Sequence, residues 1–232
     1  MSLILWSGGC DSTLLLQRLL RNEMSYTGVV RALSIDCEQV CGNKQMVEAR
    51  NVIKMKLKKL GLEFEHIEIK IEGSAFFSGS GLIQPALWVS FGVASLDKEE
   101  DLYLGWIEGD DVWHYKQEIS ETFHSLTKLQ GKSGRIFTPL EWFSKEVVLS
   151  NLEKDLLDSC WYCESEKNEP CGICSSCWSV RKARWVIETK HNEVKCYDKL
   201  IQKDRPSCLE AKKGTKHGGD RATEEQKIAS EE

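Results

Sequence analysis

The sequence predicts an α/β protein in which a parallel β-sheet is sandwiched between layers of helices. Short apolar runs of strand length alternate along the chain with longer segments whose apolar residues recur at helical spacing. The first apolar run ends at two glycines, and a helical segment follows at once. Strands that alternate with helices pair in parallel, because each helix carries the chain back across the sheet.

The N-terminal half contains three predicted strand–helix units. Residues 3–6 are apolar and end at the glycine turn, and the apolar-rich stretch 13–20 follows as a helix. Residues 29–35 form the second predicted strand, and 42–59 carry apolar side chains at helical spacing. Residues 64–71 alternate between apolar and polar, as a strand does, and 87–96 have the composition of a buried helix.

The C-terminal half continues the pattern up to a cluster of cysteines. Residues 102–106 are the next predicted strand, 118–129 a helix, 136–139 an extended segment, and 144–157 a helix with Ser144 as its N-cap. Apolar residues become sparse after Tyr197, and 212–232 consist mostly of Lys, Glu, Gly, Ser and Thr. Such a composition buries too little apolar surface to offset its ordering entropy, so a disordered tail is predicted.

Composition and charge restrict the functional classes. The 232 residues are 41% hydrophobic and 29% charged, as in an ordinary globular protein with one main core. No apolar run approaches the roughly 20 residues that span a bilayer, and residues 1–6 lack a basic leader, so a cytoplasmic protein without membrane contact is expected. The net charge of −5 favours a small-molecule substrate over nucleic acid, although a local basic patch is compatible with it.

The glycine turn has the features of a phosphate-binding loop. Two glycines let the backbone approach an anion, the following helix adds partial positive charge, and hydroxyl groups lie on both sides of the turn. The loop has neither the Gly-Lys-Ser/Thr of a Walker sequence nor the spacing of a dinucleotide fingerprint. Its candidate ligand-binding residues are Ser7, Gly8, Gly9, Cys10, Asp11, Ser12 and Thr13.

Five of the ten cysteines fall within residues 160–177, which predicts a metal site in a chain without a secretion signal. Cys171, Cys174 and Cys177 are separated by two residues each, and either Cys160 or Cys163 can supply the fourth thiolate. Four thiolates make a closed tetrahedral zinc site, which stabilises structure and leaves no coordination position for catalysis. An iron–sulfur cluster is the competing interpretation.

The loop sequence Ser-Gly-Gly-Cys-Asp-Ser resembles the signature of the pyrophosphate-loop ATPases, and its combination with the C-terminal cysteines resembles the 7-cyano-7-deazaguanine synthases. The match spans roughly residues 3–181. It departs at Gln84-Pro85, where the family has Arg-Asn, and at Arg181, which lies one position after that of the corresponding family arginine. The further segments that resemble this family are Ser34-Ile35-Asp36-Cys37-Glu38-Gln39, the pair Asp111 and Tyr115, Thr138-Pro139-Leu140 with Lys145-Glu146, and Ser159-Cys160-Trp161.

The resemblance implies an adenine nucleotide alpha hydrolase-like, Rossmann-like fold and an ATP-dependent carbon–nitrogen ligase. The implied substrates are 7-carboxy-7-deazaguanine and ammonia, the implied product is the nitrile used for queuosine and related deazapurines, and the implied cofactors are ATP, Mg²⁺ and Zn²⁺. It assigns catalytic roles to Asp11 and Lys145 and deazaguanine binding to Asp111 and Tyr115, and it implies a homodimer. The domains expected are 1–157 for nucleotide binding, 158–203 for zinc and 204–232 for the disordered tail.

Three other functions stay open at the level of the sequence. One is a related enzyme that stops at the amide or makes another deazapurine product. Another is a tRNA sulfur-transfer enzyme, since some pyrophosphate-loop thiolases also carry a cysteine-ligated metal, although the acidic charge opposes RNA binding. The third is a non-catalytic zinc-binding adaptor that keeps a relic nucleotide fold, against which the intact loop argues.

Overall fold

A computed structural model describes residues 1–24, 28–37, 43–71, 83–165 and 168–203, with side chains placed up to residue 190 except at 83 and 84. The strands are β1 (Ser2–Leu5), β2 (Val30–Cys37), β3 (Glu65–Ile71), β4 (Asp101–Tyr103) and β5 (Ile136–Phe137). The helices are α1 (Cys10–Leu20), α2 (Asn43–Lys59), α3 (Ile83–Ser95), α4 (Lys116–Leu129), α5 (Lys145–Asn151), α6 (Lys154–Leu157) and α7 (Ser175–Lys203), with a 3-10 helix at Asp111–Tyr115. Glu38, Gln39, the side chain of Gln84 and the predicted tail 204–232 lie outside this description.

The five strands form one parallel sheet in the order β3-β2-β1-β4-β5, which confirms the predicted fold class. Strand β1 is central: its Ser2 pairs with Val30 of β2 on one side and with Asp101 of β4 on the other. The strand order therefore reverses between β1 and β4. In open α/β sheets, a crevice at the carboxyl ends of the strands at such a switch point is where ligands bind.

Two hydrophobic clusters cover the two faces of the sheet. Ile4 of β1 belongs to the cluster that includes side chains of α1, α2, α5, α6 and α7. Leu3, the preceding residue, belongs to the cluster that includes side chains of α3 and α4. Because successive side chains of a strand point to opposite faces, this division places helices on both sides of the sheet.

The single helix predicted for residues 144–157 is wrong, because the structure has two short helices there. Helix α5 ends at Asn151, and Leu152 has extended backbone angles, φ −76° and ψ 134°. The N–H of Glu153 then donates to the side chain of Gln17 at 3.1 Å, and α6 begins. Since buried Val148, Leu152 and Leu156 keep a helical spacing through the break, apolar periodicity could not reveal it.

The strand predicted for 102–106 ends earlier, at Tyr103. Leu104 still donates to the carbonyl of Phe137 at 2.9 Å, but Gly105 then leaves the sheet and runs against the beginning of α1. The early end of β4 thus brings its connecting loop to the glycine turn that follows β1.

The chain divides into two compact units, Met1–Lys190 and His191–Glu232. The first contains the whole sheet and all the cysteines of the predicted metal site. In the second, the described residues 191–203 are the last part of α7. Among the described residues, no helix combines the length and apolar character needed to cross a bilayer.

Candidate functional site

The glycine turn lies between the end of β1 and the N-terminus of α1. Gly8 has φ +87°, a value that favours glycine, and α1 begins at Cys10. Gly9 is the N-cap residue and no side chain caps the helix there, so the first-turn N–H groups are left for a ligand. Ser7, Gly9, Cys10, Asp11 and Ser12 all line one cleft.

Hydrogen bonds of two serines, Ser7 and Ser12, stabilise this turn. The hydroxyls of Ser7 and Ser12 lie 3.0 Å apart, and the N–H of Ser7 donates to the Ser12 hydroxyl at 3.2 Å. The N–H of Gly9 donates to the Ser7 hydroxyl, also at 3.2 Å. Thr13 contributes differently: it is fully buried, and its hydroxyl accepts from the indole N–H of Trp6 at 3.1 Å. Thr13 therefore supports the loop from the core.

The carbonyl groups of the turn are held by donors from the protein. Arg50 donates to the carbonyl of Ser7 at 3.2 Å, and the N–H of Trp161 donates to that of Gly8 at 3.2 Å. The N–H of Thr13 donates to the carbonyl of Gly9 at 3.0 Å. With these three oxygens occupied, the loop can present donors rather than acceptors to a bound phosphate.

Arg50 is a site residue that the sequence reasoning missed. Its side chain is only 2% exposed and forms an ion pair with Asp36, at the carboxyl-terminal part of β2. A Cβ at Gly8 would lie 2.8 Å from Cγ of Arg50, so only glycine lets this arginine pass under the loop. The available signal was a charged residue among apolar positions, three residues before the buried Ile53 of α2.

Gly105 is the second missed residue. A Cβ added there would lie 2.9 Å from Cα and 3.0 Å from the backbone N of Ser12. Those atoms belong to the first turn of α1 and cannot rotate away as a side chain can. An isolated glycine at the end of a predicted strand is a known sign of close backbone approach, and this was the signal in the sequence.

The two predicted catalytic residues meet in the cleft. The ammonium of Lys145, in the first turn of α5, lies 2.6 and 2.8 Å from the two carboxylate oxygens of Asp11. Both side chains are mostly buried, with 16% of Lys145 and 24% of Asp11 exposed. A lysine that is 134 residues away in sequence is thus placed beside the phosphate-type loop.

A further carboxylate, Asp110, lines the same cleft. It accepts a hydrogen bond from the N–H of Ile107 at 2.9 Å. Burial raises the pKa of Asp110, the bond from Ile107 opposes this, and the nearby Asp11 raises it further. The predicted substrate-binding residues Asp111 and Tyr115 lie on the adjacent 3-10 helix, exposed and outside the described lining of the cleft.

The cleft has a volume of about 430 Å³, which is in the range of small-molecule sites. Its polar end is the loop with Asp11, Asp110 and Lys145, and its other walls are largely aromatic and apolar. Besides Trp6, which follows β1, the aromatic residues that line the cleft are Trp88, Trp106, Trp161 and Tyr162. Such walls suit flat ring systems, which stack on aromatic side chains.

Four cysteine sulfurs form a group that could hold a metal ion such as zinc. The Sγ atoms of Cys163, Cys171, Cys174 and Cys177 all lie within 4.8 Å of one another. Two of these separations, Cys171–Cys177 and Cys163–Cys174, are 4.0 Å. A tetrahedral zinc site with Zn–S bonds of about 2.3 Å has sulfurs about 3.8 Å apart, so the arrangement fits.

Backbone N–H groups surround these sulfurs. The N–H of Cys171 donates to the sulfur of Cys163 at 3.2 Å, and those of Cys174 and Cys177 donate to the preceding sulfurs at 3.4 Å each. Gly172 permits the turn with φ +76°. Burial opposes ionisation of Cys163, but hydrogen bonds from Cys171 and Ser165 lower its pKa to about 6. Backbone hydrogen bonds also lower the pKa of Cys171, whereas burial raises that of Cys177 to about 12. Cys163 and Cys171 therefore favour the thiolate, the form that binds metal.

Of the two cysteines left open as first ligand, Cys163 lies in the group and Cys160 does not. The Cys160 thiol is buried and donates to the carbonyl of Leu156 at 3.3 Å. Its hydrogen bond with the Cys10 thiol and its burial both raise its pKa. Cys160 therefore has the character of a neutral core thiol behind the loop.

The cysteine group also shapes the cleft. Trp161, Tyr162, Cys163 and Glu164 all line it, and the indole N–H of Trp161 donates to the carbonyl of Cys163 at 2.7 Å. A metal at the cysteines would fix this wall, and through the bond from Trp161 to Gly8 it would also fix the loop.

No model of a known protein family matches the chain, and no curated protein matches it either. The resemblance to the 7-cyano-7-deazaguanine synthases stays a prediction that rests on short motifs.

Proposed function

We propose that the chain is an ATP-dependent ligase of the 7-cyano-7-deazaguanine synthase type, which converts 7-carboxy-7-deazaguanine and ammonia into the nitrile. The observation that carries the proposal is the contact of Lys145 with Asp11. This contact lies beside a glycine turn whose carbonyl oxygens, at Ser7, Gly8 and Gly9, all accept hydrogen bonds from the protein. A carboxylate is a poor electrophile until it is activated, and a nucleotide loop with an adjacent lysine is suited to that task.

In the first step a carboxylate oxygen of the substrate attacks the α-phosphorus of ATP. The bond to pyrophosphate breaks, and an acyl-adenylate forms. The N–H groups at the start of α1 hold the departing pyrophosphate, and Lys145 stabilises the charge that develops on the phosphoryl oxygens. Holding the two reactants in line contributes up to roughly 7–11 kcal/mol.

Lys145 is neutralised by Asp11 in the free protein and has to be released for this role. Asp11 and Asp110 are the carboxylates placed to hold Mg²⁺, which when bound offsets the charge of the phosphates. If Asp11 held Mg²⁺, the ammonium of Lys145 would be free to turn to the nucleotide.

Ammonia then attacks the carbonyl carbon, AMP leaves, and an amide forms with loss of a proton. A second ATP activates the amide oxygen, and loss of that oxygen with AMP and of two protons gives the nitrile. The apolar lining of the cleft, with Trp88 and Trp106, would hold the flat base and exclude water that would otherwise hydrolyse the adenylate.

The cysteine group holds a structural zinc in this proposal. Four thiolates leave no open coordination position, so the metal supplies folding free energy and no chemistry. Its functional contribution is indirect, through the wall formed by Trp161 and Tyr162.

The test is mass spectrometry of the purified protein with ATP, magnesium, ammonium and 7-carboxy-7-deazaguanine, following both the base and the adenine nucleotide. We expect the nitrile together with AMP. Lys145→Met and Asp11→Asn should each lower turnover by about 100-fold or more, since the first removes a cation beside the reacting phosphate and the second a carboxylate proposed to hold Mg²⁺. Lys154→Met, at an exposed lysine of α6, is the matched control and should keep full activity.

Other outcomes separate the alternatives. An amide that persists would identify an enzyme that stops after one activation. An unreacted base with ATP still bound would move the proposal to another carboxylate or to a tRNA substrate. Failure to bind ATP would contradict the nucleotide-loop assignment itself and would favour an adaptor.

A further inference from the structure

The outer face of α7 carries two exposed tryptophans. Trp178 and Trp185 are 56% and 65% exposed, although large aromatic side chains normally contribute to a core. The opposite face of the same helix is buried through Cys177, Val180 and Ala183, so the exposed tryptophans are not required for packing of the helix. Exposed aromatic side chains grouped in this way indicate a binding surface.

Basic side chains lie between the two tryptophans. Arg181 and Lys182 are exposed, and with the tryptophans they occupy positions i, i+3, i+4 and i+7, which form one face of a helix. We call these four residues the Trp–Arg stripe. The guanidinium of Arg181 lies 4.8 Å from the ring centroid of Trp178. The stripe therefore combines flat aromatic surfaces with cations that remain accessible to solvent.

The charge of this region is opposite to that of the whole protein. Residues 175–190 contain four basic residues and one acidic residue, Glu188, whereas the chain has a net charge of −5. Glu146 of α5 also lies near: its pKa is lowered mainly by Ser144, with smaller contributions from Lys182 and Lys190. Against the two carboxylates Glu146 and Glu188, the four basic residues leave this region with net positive charge for an anionic partner.

We propose that the Trp–Arg stripe binds single-stranded nucleic acid. Bases stack on exposed tryptophans, and Arg and Lys bind the phosphates between them. Seven residues of α-helix separate the tryptophans by about 10.5 Å along the axis. That distance corresponds to about three nucleotides at a stacked rise of 3.4 Å. In a duplex the base faces are covered by neighbouring bases, so a single strand fits and a double helix does not.

A second copy of the chain is a less favourable partner for the Trp–Arg stripe than single-stranded nucleic acid. A two-fold dimer through this face would bring like charges of the two copies together, which is unfavourable. The proposal does not depend on the ligase reaction, because the stripe faces away from the side of α7 whose Ser176 and Val180 line the cleft.

The experiment is fluorescence anisotropy of a labelled 20-nucleotide single-stranded RNA with the full chain, at 50 and 200 mM salt. Trp178→Ala and Trp185→Ala should each weaken binding by about fivefold or more, since stacking on one base is worth about 1–3 kcal/mol. Trp185→Phe should keep most of the affinity. Arg181→Gln with Lys182→Gln should lower the slope of log K against log salt by about 1.4, or roughly 0.7 for each phosphate contact.

Lys58→Gln, at an exposed lysine of α2, is the control and should change neither the affinity nor the salt slope appreciably. Thermal unfolding and zinc content establish that each variant is folded. Because Trp185 is the more exposed of the two tryptophans, Trp185→Ala is the variant least expected to disturb the fold. The proposal is overturned if the wild-type chain does not bind at 50 mM salt, or if the stripe variants bind as well as Lys58→Gln. It is also overturned if light scattering shows a dimer that Trp185→Ala dissociates while RNA binding is absent.

Discussion

Replacing Gly105 by alanine should damage nucleotide binding more than it damages folding. The added Cβ would lie 2.9 Å from Cα of Ser12 and 3.2 Å from the carbonyl carbon of Asp11, which are both backbone atoms. Ordinary contact requires at least 3.4 Å, so the first turn of α1 has to shift by about half an ångström or more. We expect overpacking to lower the free energy of unfolding by about 1–3 kcal/mol.

The functional effect should be larger, because the displaced atoms belong to the turn to which we assign phosphate binding. Misplacement of about 1 Å costs on the order of 100-fold in rate, so we expect kcat/KM to fall by about 10-fold to 100-fold. The measurement is isothermal titration with ATP and magnesium, combined with turnover and a thermal unfolding curve. A loss of about 1–3 kcal/mol lowers the melting temperature by only about 2–12 °C for a domain of this size, so the variant remains folded at 25 °C.

Gly92→Ala is the matched control. A Cβ at Gly92 would lie 3.0 Å from a methyl carbon of Leu102, which is the end of a flexible side chain. Gly92 is also within α3, where alanine is the better helix former. We expect this variant to bind ATP as the wild type does. Wild-type ATP affinity in Gly105→Ala, or an equal loss in both variants, would refute the role given to Gly105.

Three further results are expected. Cys163→Ser should lose bound zinc and lower the melting temperature, whereas Cys160→Ser should retain one zinc per chain by elemental analysis; the reverse would place the metal elsewhere. Arg50→Met should destabilise the fold by about 3–5 kcal/mol in urea, because it leaves Asp36 buried without a partner, and adding Asp36→Asn should recover much of that loss. Burial lowers the pKa of His66 below its usual 6.5, so the unfolded chain binds more protons and stability should fall as the pH drops through 6.5. His66→Gln should flatten that dependence between pH 7 and 5, and an unchanged slope would contradict it.

The parts of the site that the sequence could predict are local in sequence. The turn at Gly8-Gly9 follows an apolar run and precedes an apolar-rich helix, so its position at the end of β1 followed from pattern alone. Likewise, the spacing of Cys171, Cys174 and Cys177 identified three members of the cysteine group.

The site residues that the sequence patterns did not identify owe their positions to the strand order and to local turns. Gly105 approaches the loop only because β4 lies beside β1, and Arg50 reaches it only because β2 lies on the other side. Asp110 and Asp111 are adjacent in an acidic run, and which of them enters the cleft depends on the 3-10 helix that begins at Asp111. A one-residue choice of this kind cannot be made from composition or periodicity.

The most direct test of the proposed chemistry uses 7-carboxy-7-deazaguanine labelled with ¹⁸O in its carboxylate. If a carboxylate oxygen attacks the α-phosphorus of ATP and ammonia then displaces AMP, that oxygen leaves with AMP. We expect mass spectrometry to find one ¹⁸O in the AMP released by the wild-type protein, and far less labelled AMP with Lys145→Met. Unlabelled AMP, or ADP with phosphate, would contradict adenylation of the carboxylate and with it the proposed function.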